Sequence, residues 1–186
     1  METKAGRIIA IDDNQEILLS LRVALSKYFE EVKLYITPSD DVLKEVSSGE
    51  YNVVLLDMNF TPGVTNGKEG IDFLKKIVSI DPTVSVVMIT AYGDISTAVE
   101  AMKFGATDFV LKPWENKKLI ATVTSASSLC KSKRESTELR QSRKVLANDI
   151  DQPFIQIIGE SEPMKKVRSA MEKVASTDAN VLILGE

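Results

Sequence analysis

Five polar side chains suited to phosphoryl chemistry each stand at the end of a short apolar run: Asp12 and Asp13, Asp57, Thr90, and Lys112 in the pair Lys112-Pro113. Carboxylates brought together repel one another and raise one another's pKa, and a divalent cation relieves that repulsion. Magnesium, which takes one or two carboxylates together with water and phosphate oxygens, suits this ligand set. Asp57 would be the nucleophile, because a carboxylate attacking phosphorus in line needs positioning and charge neutralisation more than it needs a base. Lys112 would put a point charge on a phosphate oxygen, and the Thr90 hydroxyl would donate to another. Each residue also has a plainer reading. Asp13 would cap the helix starting at Asn14, Thr90 would punctuate a loop, and Lys112-Pro113 would make a turn. The conjunction, in that order along the chain, favours the chemical reading.

These groups need elements that bring them to one edge. Apolar runs at 7–11, 32–36, 52–56, 84–89 and 108–111 alternate with amphipathic stretches such as 14–28, where Ile17, Leu18, Leu21 and Leu25 recur at helical spacing, and 95–104. Strand and helix in strict alternation imply an α/β fold: a doubly wound, five-stranded parallel sheet with helices on both faces. Ligands of such sheets sit at the carboxyl ends of the strands, where the five side chains fall. From Glu115 to about Ala147 there is neither Pro nor Gly, which implies one long helix. A new unit is expected after Pro153, with a helix at 162–175 and a strand at 181–184. The organisation is then 1–126 for the main domain, 127–153 for a helical linker with a weak coiled-coil seam, and 154–186 for the start of a second domain.

Composition narrows the function. The chain contains no histidine and one cysteine, Cys130, so imidazole catalysis, His-ligated metals and an internal disulfide are excluded, and any cation must be held by oxygen. No apolar run reaches membrane length and the amino terminus leads directly into a strand, so a cytoplasmic protein with no membrane partner is expected. Residues 1–130 hold 13 Lys and Arg against 18 Asp and Glu, a net −5, which argues against nucleic-acid binding by this part. Residues 131–147 reverse the sign, with six basic against two acidic side chains, as expected for a solvated helix face.

Residues 7 to about 126 closely resemble the receiver domain of two-component response regulators. The resemblance rests on Ile8-Ile9-Ala10-Ile11-Asp12-Asp13-Asn14, Val53-Val54-Leu55-Leu56-Asp57, Met88-Ile89-Thr90-Ala91 and Gly105-Ala106-Thr107-Asp108-Phe109-Val110-Leu111-Lys112-Pro113. It implies a flavodoxin-like sheet in the order 2-1-3-4-5 and phosphoryl transfer to Asp57 from a phosphohistidine on a sensor histidine kinase. It implies Mg2+ held by Asp12, Asp13, Asp57 and the backbone carbonyl of Asn59. It further implies phosphate binding and switching by Thr90, Ala91, Lys112 and Phe109, and a cis bond before Pro113. A domain of this kind assists its own phosphorylation and is not an enzyme in the turnover sense. One departure from the family is the loop after Asp57: if Gly70 is the family's glycine, about five residues have been added within 60–69.

A second resemblance covers the last 33 or so residues. Ile157-Ile158-Gly159-Glu160-Ser161, Met164-Lys165-Lys166-Val167 and Asn180-Val181-Leu182-Ile183-Leu184-Gly185-Glu186 look like the opening of the AAA+ ATPase domain of nitrogen-regulator-type, sigma-54-dependent transcription activators. The sequence ends two residues into the phosphate loop, so no nucleotide binding is expected of it, and contact with sigma-54 RNA polymerase and DNA would belong to downstream domains. Two rivals come from other classes. A haloacid-dehalogenase-like phosphatase would need a second aspartate at position 59 as acid and base, where this chain has Asn59. A phosphate-independent interaction module would be expected to lack one of the five polar groups, and all five are here.

The linker carries its own expectation. About 33 residues of helix span ~50 Å, more than is needed to cover the sheet. Pairing across a two-fold axis through Leu129, Leu139 and Leu146 would support it, with Ser132, Ser136 and Arg143 keeping the seam weak. The expected outcome is a concentration-dependent homodimer whose self-association falls in Leu139→Asp. Sedimentation showing a monomer at every concentration, phosphorylated or not, would count against the seam.

Overall fold

The computed structural model describes residues 4–60, 67–91, 95–155, 159–175 and 182, with backbone alone at 95, 96, 98 and 143–155. Five parallel strands, β1 (Arg7–Ile11), β2 (Glu31–Tyr35), β3 (Val53–Asp57), β4 (Ser85–Ala91) and β5 (Asp108–Lys112), lie in the order β2-β1-β3-β4-β5. They alternate with helices α1 (Gln15–Leu25), α2 (Asp40–Ser47), α3 (Lys68–Ile80), α4 (Ile95–Lys103) and α5 (Asn116–Ile155), and α6 (Glu162–Ala175) follows. The chain divides into two compact units, Met1–Thr137 and Glu138–Glu186.

Burial follows the strand period of two. On one face, Ile9, Ile11, Val54, Leu56, Val86 and Met88 pack against Val42 and Val46 of α2, the α3 residues Ile71, Phe73, Leu74 and Ile77, and Ala101 of α4. On the other, Ile8, Ala10, Val53, Leu55, Val87, Ile89 and Val110 pack against Leu18, Leu21 and Leu25 of α1 and Leu119, Val123 and Ala126 of α5. Truncating any one of these buried Leu or Ile side chains to Ala would cost about 2–5 kcal/mol. The central strand β3 is buried along its whole length, as a strand covered on both faces must be. The outermost strand β2 is only partly buried.

Asn14, not Asp13, caps α1: its side chain accepts hydrogen bonds from the amides of Glu16 (2.9 Å) and Ile17 (3.4 Å). The capping reading of Asp13 is thereby removed. The strands match the expected runs to within a residue or two. Helix α5 runs farther than about Ala147, ending at Ile155, so Pro153 falls in its last turn rather than before a new element. The expected strand at 181–184 lies outside the described residues except for Leu182, and the side chain of Leu146 lies outside them too. Leu129 and Leu139 are exposed. No helix among the described residues is long and apolar enough to cross a membrane.

Contacts of α5 with the sheet continue past position 126. Cys130 is fully buried, and one turn on Arg134 closes over the amino-terminal edge of the sheet. The Arg134 guanidinium donates to the carbonyl oxygen of Tyr51 (2.7 Å), to Asp81 Oδ2 (3.1 Å) and to Thr83 Oγ1 (3.2 Å). Burial pushes the Asp81 carboxyl up, but hydrogen bonds from Thr83 and Arg134 outweigh it and hold the group below its ordinary value. A carboxyl whose folded-state pKa is depressed contributes stability above its unfolded pKa of about 3.9, and loses it as pH falls through the folded value. Arg134→Ala should therefore cost about 1.5–3 kcal/mol at neutral pH, with a smaller deficit near pH 3. Urea denaturation at the two pH values tests this, and a deficit independent of pH would assign the effect to packing of the arginine stem alone.

Candidate functional site

Strand register explains why residues 45 and 100 positions apart from Asp12 meet it. Alternate residues 8 and 10 of β1 with 12 just past its end, 53, 55, 57 of β3 and 110, 112 of β5 continue one face, so Asp12, Asp57 and Lys112 emerge at the carboxyl edge on the α1–α5 side. Thr90 and Phe109 belong to the opposite parity. Met88 is paired with Phe109 and Thr90 with Leu111, which makes Thr90 and Phe109 diagonal neighbours on the side of α3 and α4.

The Lys112 ammonium donates to Asp12 Oδ2 at 2.6 Å and to Asp57 Oδ1 at 2.9 Å. The second oxygen of Asp12 accepts the amide of Asn14 at 2.9 Å, which ties the carboxylate to the start of α1. Asp12 is fully buried, Asp57 is 7% exposed, and Asp13 faces solvent. One ligand atom from each of Asp12, Asp13 and Asp57 lies within 4.8 Å of the others, a spacing that one cation could bridge. Three carboxylates beside a single ammonium leave a negative excess in a largely buried site. A hard divalent cation is the chemical complement of such a donor set.

Burial raises the Asp57 carboxyl above its ordinary value; Lys112 opposes the shift and Asp12 adds to it. Burial pulls the Lys112 ammonium down, but its hydrogen bonds to Asp12 and Asp57 outweigh that and leave it raised. Thr90 is buried, and among the described residues its hydroxyl donates a long bond, 3.4 Å, to the Ala91 carbonyl oxygen. Ala91 is exposed at the end of β4, and Phe109 is partly buried against the α2–α4 core. The Lys112-Pro113 bond is cis. Next to Lys112 opens a cavity of about 500 Å3, lined by Glu16, Ile17, Ser20, Lys112, Pro113, Trp114 and Asn116.

The Asn59 side chain points away from phosphatase chemistry, its Oδ1 accepting the Gly67 amide at 2.8 Å. Of the added loop, residues 61–66 lie outside the described residues. Gly70 approaches the backbone so closely that a Cβ there would meet Met58 Cα at 2.7 Å and the Asp57 carbonyl oxygen at 2.8 Å. Only glycine fits that approach, a physical reason for placing it opposite the family's glycine. Reading the sequence did not single out Glu69, whose carboxylate accepts the Phe60 amide at 3.0 Å, or the Trp114 side of the cavity. A Glu in the first turn of a helix directly after a loop is a signal that could have flagged the former.

Fold and site together define a receiver module. Residues 8–124 match the response regulator receiver domain, and the chain belongs to that family. It is similar to the regulatory protein LuxO of Vibrio cholerae serotype O1, 34% identical over 165 residues that make up 82% of this chain and 32% of that protein. It is also similar to the C4-dicarboxylate transport transcriptional regulatory protein DctD of Rhizobium meliloti, 25% identical over 98% of this chain and 37% of that protein. The chain thus spans about a third of the length of these relatives. Among solved structures, the N-terminal signal receiver domain of a two-component response regulator from Bacteroides fragilis is 40% identical, with a TM-score of 0.57, covering 66% of this chain and 96% of that one. NtrX from Brucella abortus is 28% identical with a TM-score of 0.63, covering 95% of this chain and 36% of that one.

The raised pKa of Asp57 has a consequence for stability. A carboxyl whose folded-state pKa lies above its unfolded value contributes most at low pH, and that contribution is lost as pH rises through the folded value. Neutralising Asp57 should therefore stabilise the fold at pH 7, with Lys112 retaining Asp12. The expected outcome for Asp57→Asn is a thermal midpoint about 2–4 °C higher, the equivalent of ~1 kcal/mol for a chain of this size. Calorimetry showing a lower midpoint would mean that the Lys112–Asp57 pair outweighs the burial cost.

Proposed function

We propose that this chain is the phosphorylation-controlled input part of a sigma-54-dependent transcription regulator, in which Asp57 accepts a phosphoryl group from the phosphohistidine of a sensor kinase. The observation that carries the reading is the lysine shared between Asp12 and Asp57 with Asp13 at the same edge. Asp12, Asp13, Asp57 and the Asn59 carbonyl would hold Mg2+. When bound, the cation neutralises the acidic edge and draws charge from the phosphoryl oxygens. The Asp57 carboxylate attacks phosphorus in line; the O–P bond forms as the P–N bond breaks, and that bond's electron pair stays with the departing imidazole. No base is required of this chain, in keeping with its lack of histidine.

The Lys112 ammonium, already beside Asp57, meets one oxygen of the incoming group. The Thr90 hydroxyl exchanges its long bond to Ala91 for another, and its movement leaves room for its diagonal neighbour Phe109 on the α4 side. Phosphorylation would then be felt by α4, α5 and the linker, shifting the oligomeric state of the longer regulator. The match to DctD, a transcriptional regulatory protein, reaches past the receiver over 98% of this chain and supports that output. Leu19 and Val23, one turn apart and exposed on α1, stand on the helix whose Glu16 and Ser20 line the cavity beside Lys112, and suit a partner delivering phosphate at that edge.

Incubation with acetyl phosphate and Mg2+ should add the mass of one phosphoryl group, stable in acid and labile in base, to the wild-type chain and none to Asp57→Asn. Labelling of that variant at the wild-type rate would remove Asp57 from the role. Rapid multiple-turnover release of phosphate would favour a phosphatase, and an unchanged mass would favour an interaction module.

A further inference from the structure

The added loop beside the phosphoacceptor leaves and returns through a neck that is fastened at three points. Met58 is fully buried, and its carbonyl oxygen accepts the Gly70 amide at 3.0 Å. The next side chain, Asn59, accepts the Gly67 amide at 2.8 Å. The next amide, that of Phe60, donates to Glu69 Oε2 at 3.0 Å. Three consecutive residues after Asp57 are thus tied to the first turn of α3. Two of the ties satisfy amides that the start of a helix leaves without intrahelical partners. Gly67, at φ 65°, takes the left-handed turn that admits the chain into α3, and Gly70 allows the close approach of Met58. The carbonyl proposed to ligate Mg2+ is that of Asn59, the middle residue of the three.

We infer that Asn59, through its side chain, and Glu69 are positioning residues that hold the 58–60 backbone in register for the cation, so that the loop is lengthened without loosening the metal site. This rests on the receiver reading above. A carbonyl ligand has no rotamer of its own; its direction is set by the peptide planes on either side, and these are the planes the neck ties down. Glu69 acts through the Phe60 amide, and its carboxylate at the amino terminus of α3 is also favoured by the helix dipole. A loop merely anchored for folding would need ties too, but breaking them would then change stability and leave cation affinity alone.

The test is Mg2+ titration of the full chain, followed by the fluorescence of its single tryptophan, Trp114, which lies two residues from Lys112 on the cavity wall. Thermal melting of the metal-free proteins is recorded alongside. Glu69→Ala and Asn59→Ala should each weaken Mg2+ binding by about tenfold. Glu69→Gln, whose amide oxygen still accepts from Phe60, should bind within about twofold of wild type, a rescue that hydrogen bonding predicts and a loss of charge does not. Unchanged Mg2+ affinity in both alanine variants, with or without a lower melting point, overturns the inference while leaving the receiver reading intact. Equal weakening in Glu69→Gln and Glu69→Ala also overturns it, since charge rather than the tie to Phe60 would then be responsible. A wild-type chain that does not respond to Mg2+ takes both readings down together.

Discussion

A partly buried lysine shared by two buried carboxylates is the interaction on which the architecture turns. Lys112 must cross from β5, the last strand of the sheet, to Asp12 just past the end of β1 and Asp57 at the end of β3, and it reaches both because strand parity puts all three side chains on one face of the same edge. Without the ammonium, the two carboxylates would be left unpaired where water is largely excluded, and removing one partner of a buried pair costs about 3–5 kcal/mol. With it, the edge still carries negative excess from Asp13 and Asp57. That residual imbalance makes the edge a chemical complement of a hard divalent cation.

The two ends of the sheet use ionisable groups in opposite ways. At the carboxyl edge, burial and a neighbouring carboxylate hold Asp57 above its ordinary pKa, so its charge opposes the fold. At the amino edge, Thr83 and Arg134 hold Asp81 below its ordinary pKa, so its charge supports the fold. Such a division places the unfavourable electrostatics at the reactive edge and the compensating ties at the far one. It also fixes the stretch of α5 from Leu119 to Arg134 against the sheet through a continuous stripe of Leu119, Val123, Ala126, Ser127, Cys130 and Arg134.

Much of this was legible in the amino-acid sequence because strand and helix periods are strong signals. The five apolar runs, and the polar residues at the ends of four of them, pointed to the sheet, its edge and the Asp12, Asp13, Asp57, Thr90 and Lys112 set. What was not legible depends on distance rather than period. Lys112 was read as a phosphate ligand, and nothing local shows that its ammonium rests on two carboxylates. Arg134 sat in a basic stretch read as a solvated face, yet a single turn of helix separates it from the buried Cys130, and its partners Tyr51, Asp81 and Thr83 are far away in sequence. The capping of α1 went to Asn14 rather than Asp13 because the helix begins one residue later than the acidic pair suggested. Glu69 had no periodic signature at all; its role comes from a backbone amide across the neck of a loop.

Of the three carboxylates at the edge, Asp57 is the one proposed to take the phosphoryl group as an acyl phosphate. Borohydride reduces an acyl phosphate on aspartate to homoserine, so trapping the phosphorylated chain in this way and mapping its peptides by mass spectrometry reads the site directly. Homoserine at position 57, with Asp12 and Asp13 unaltered, is the predicted result. Homoserine at position 12 or 13, with Asp57 intact, would contradict it.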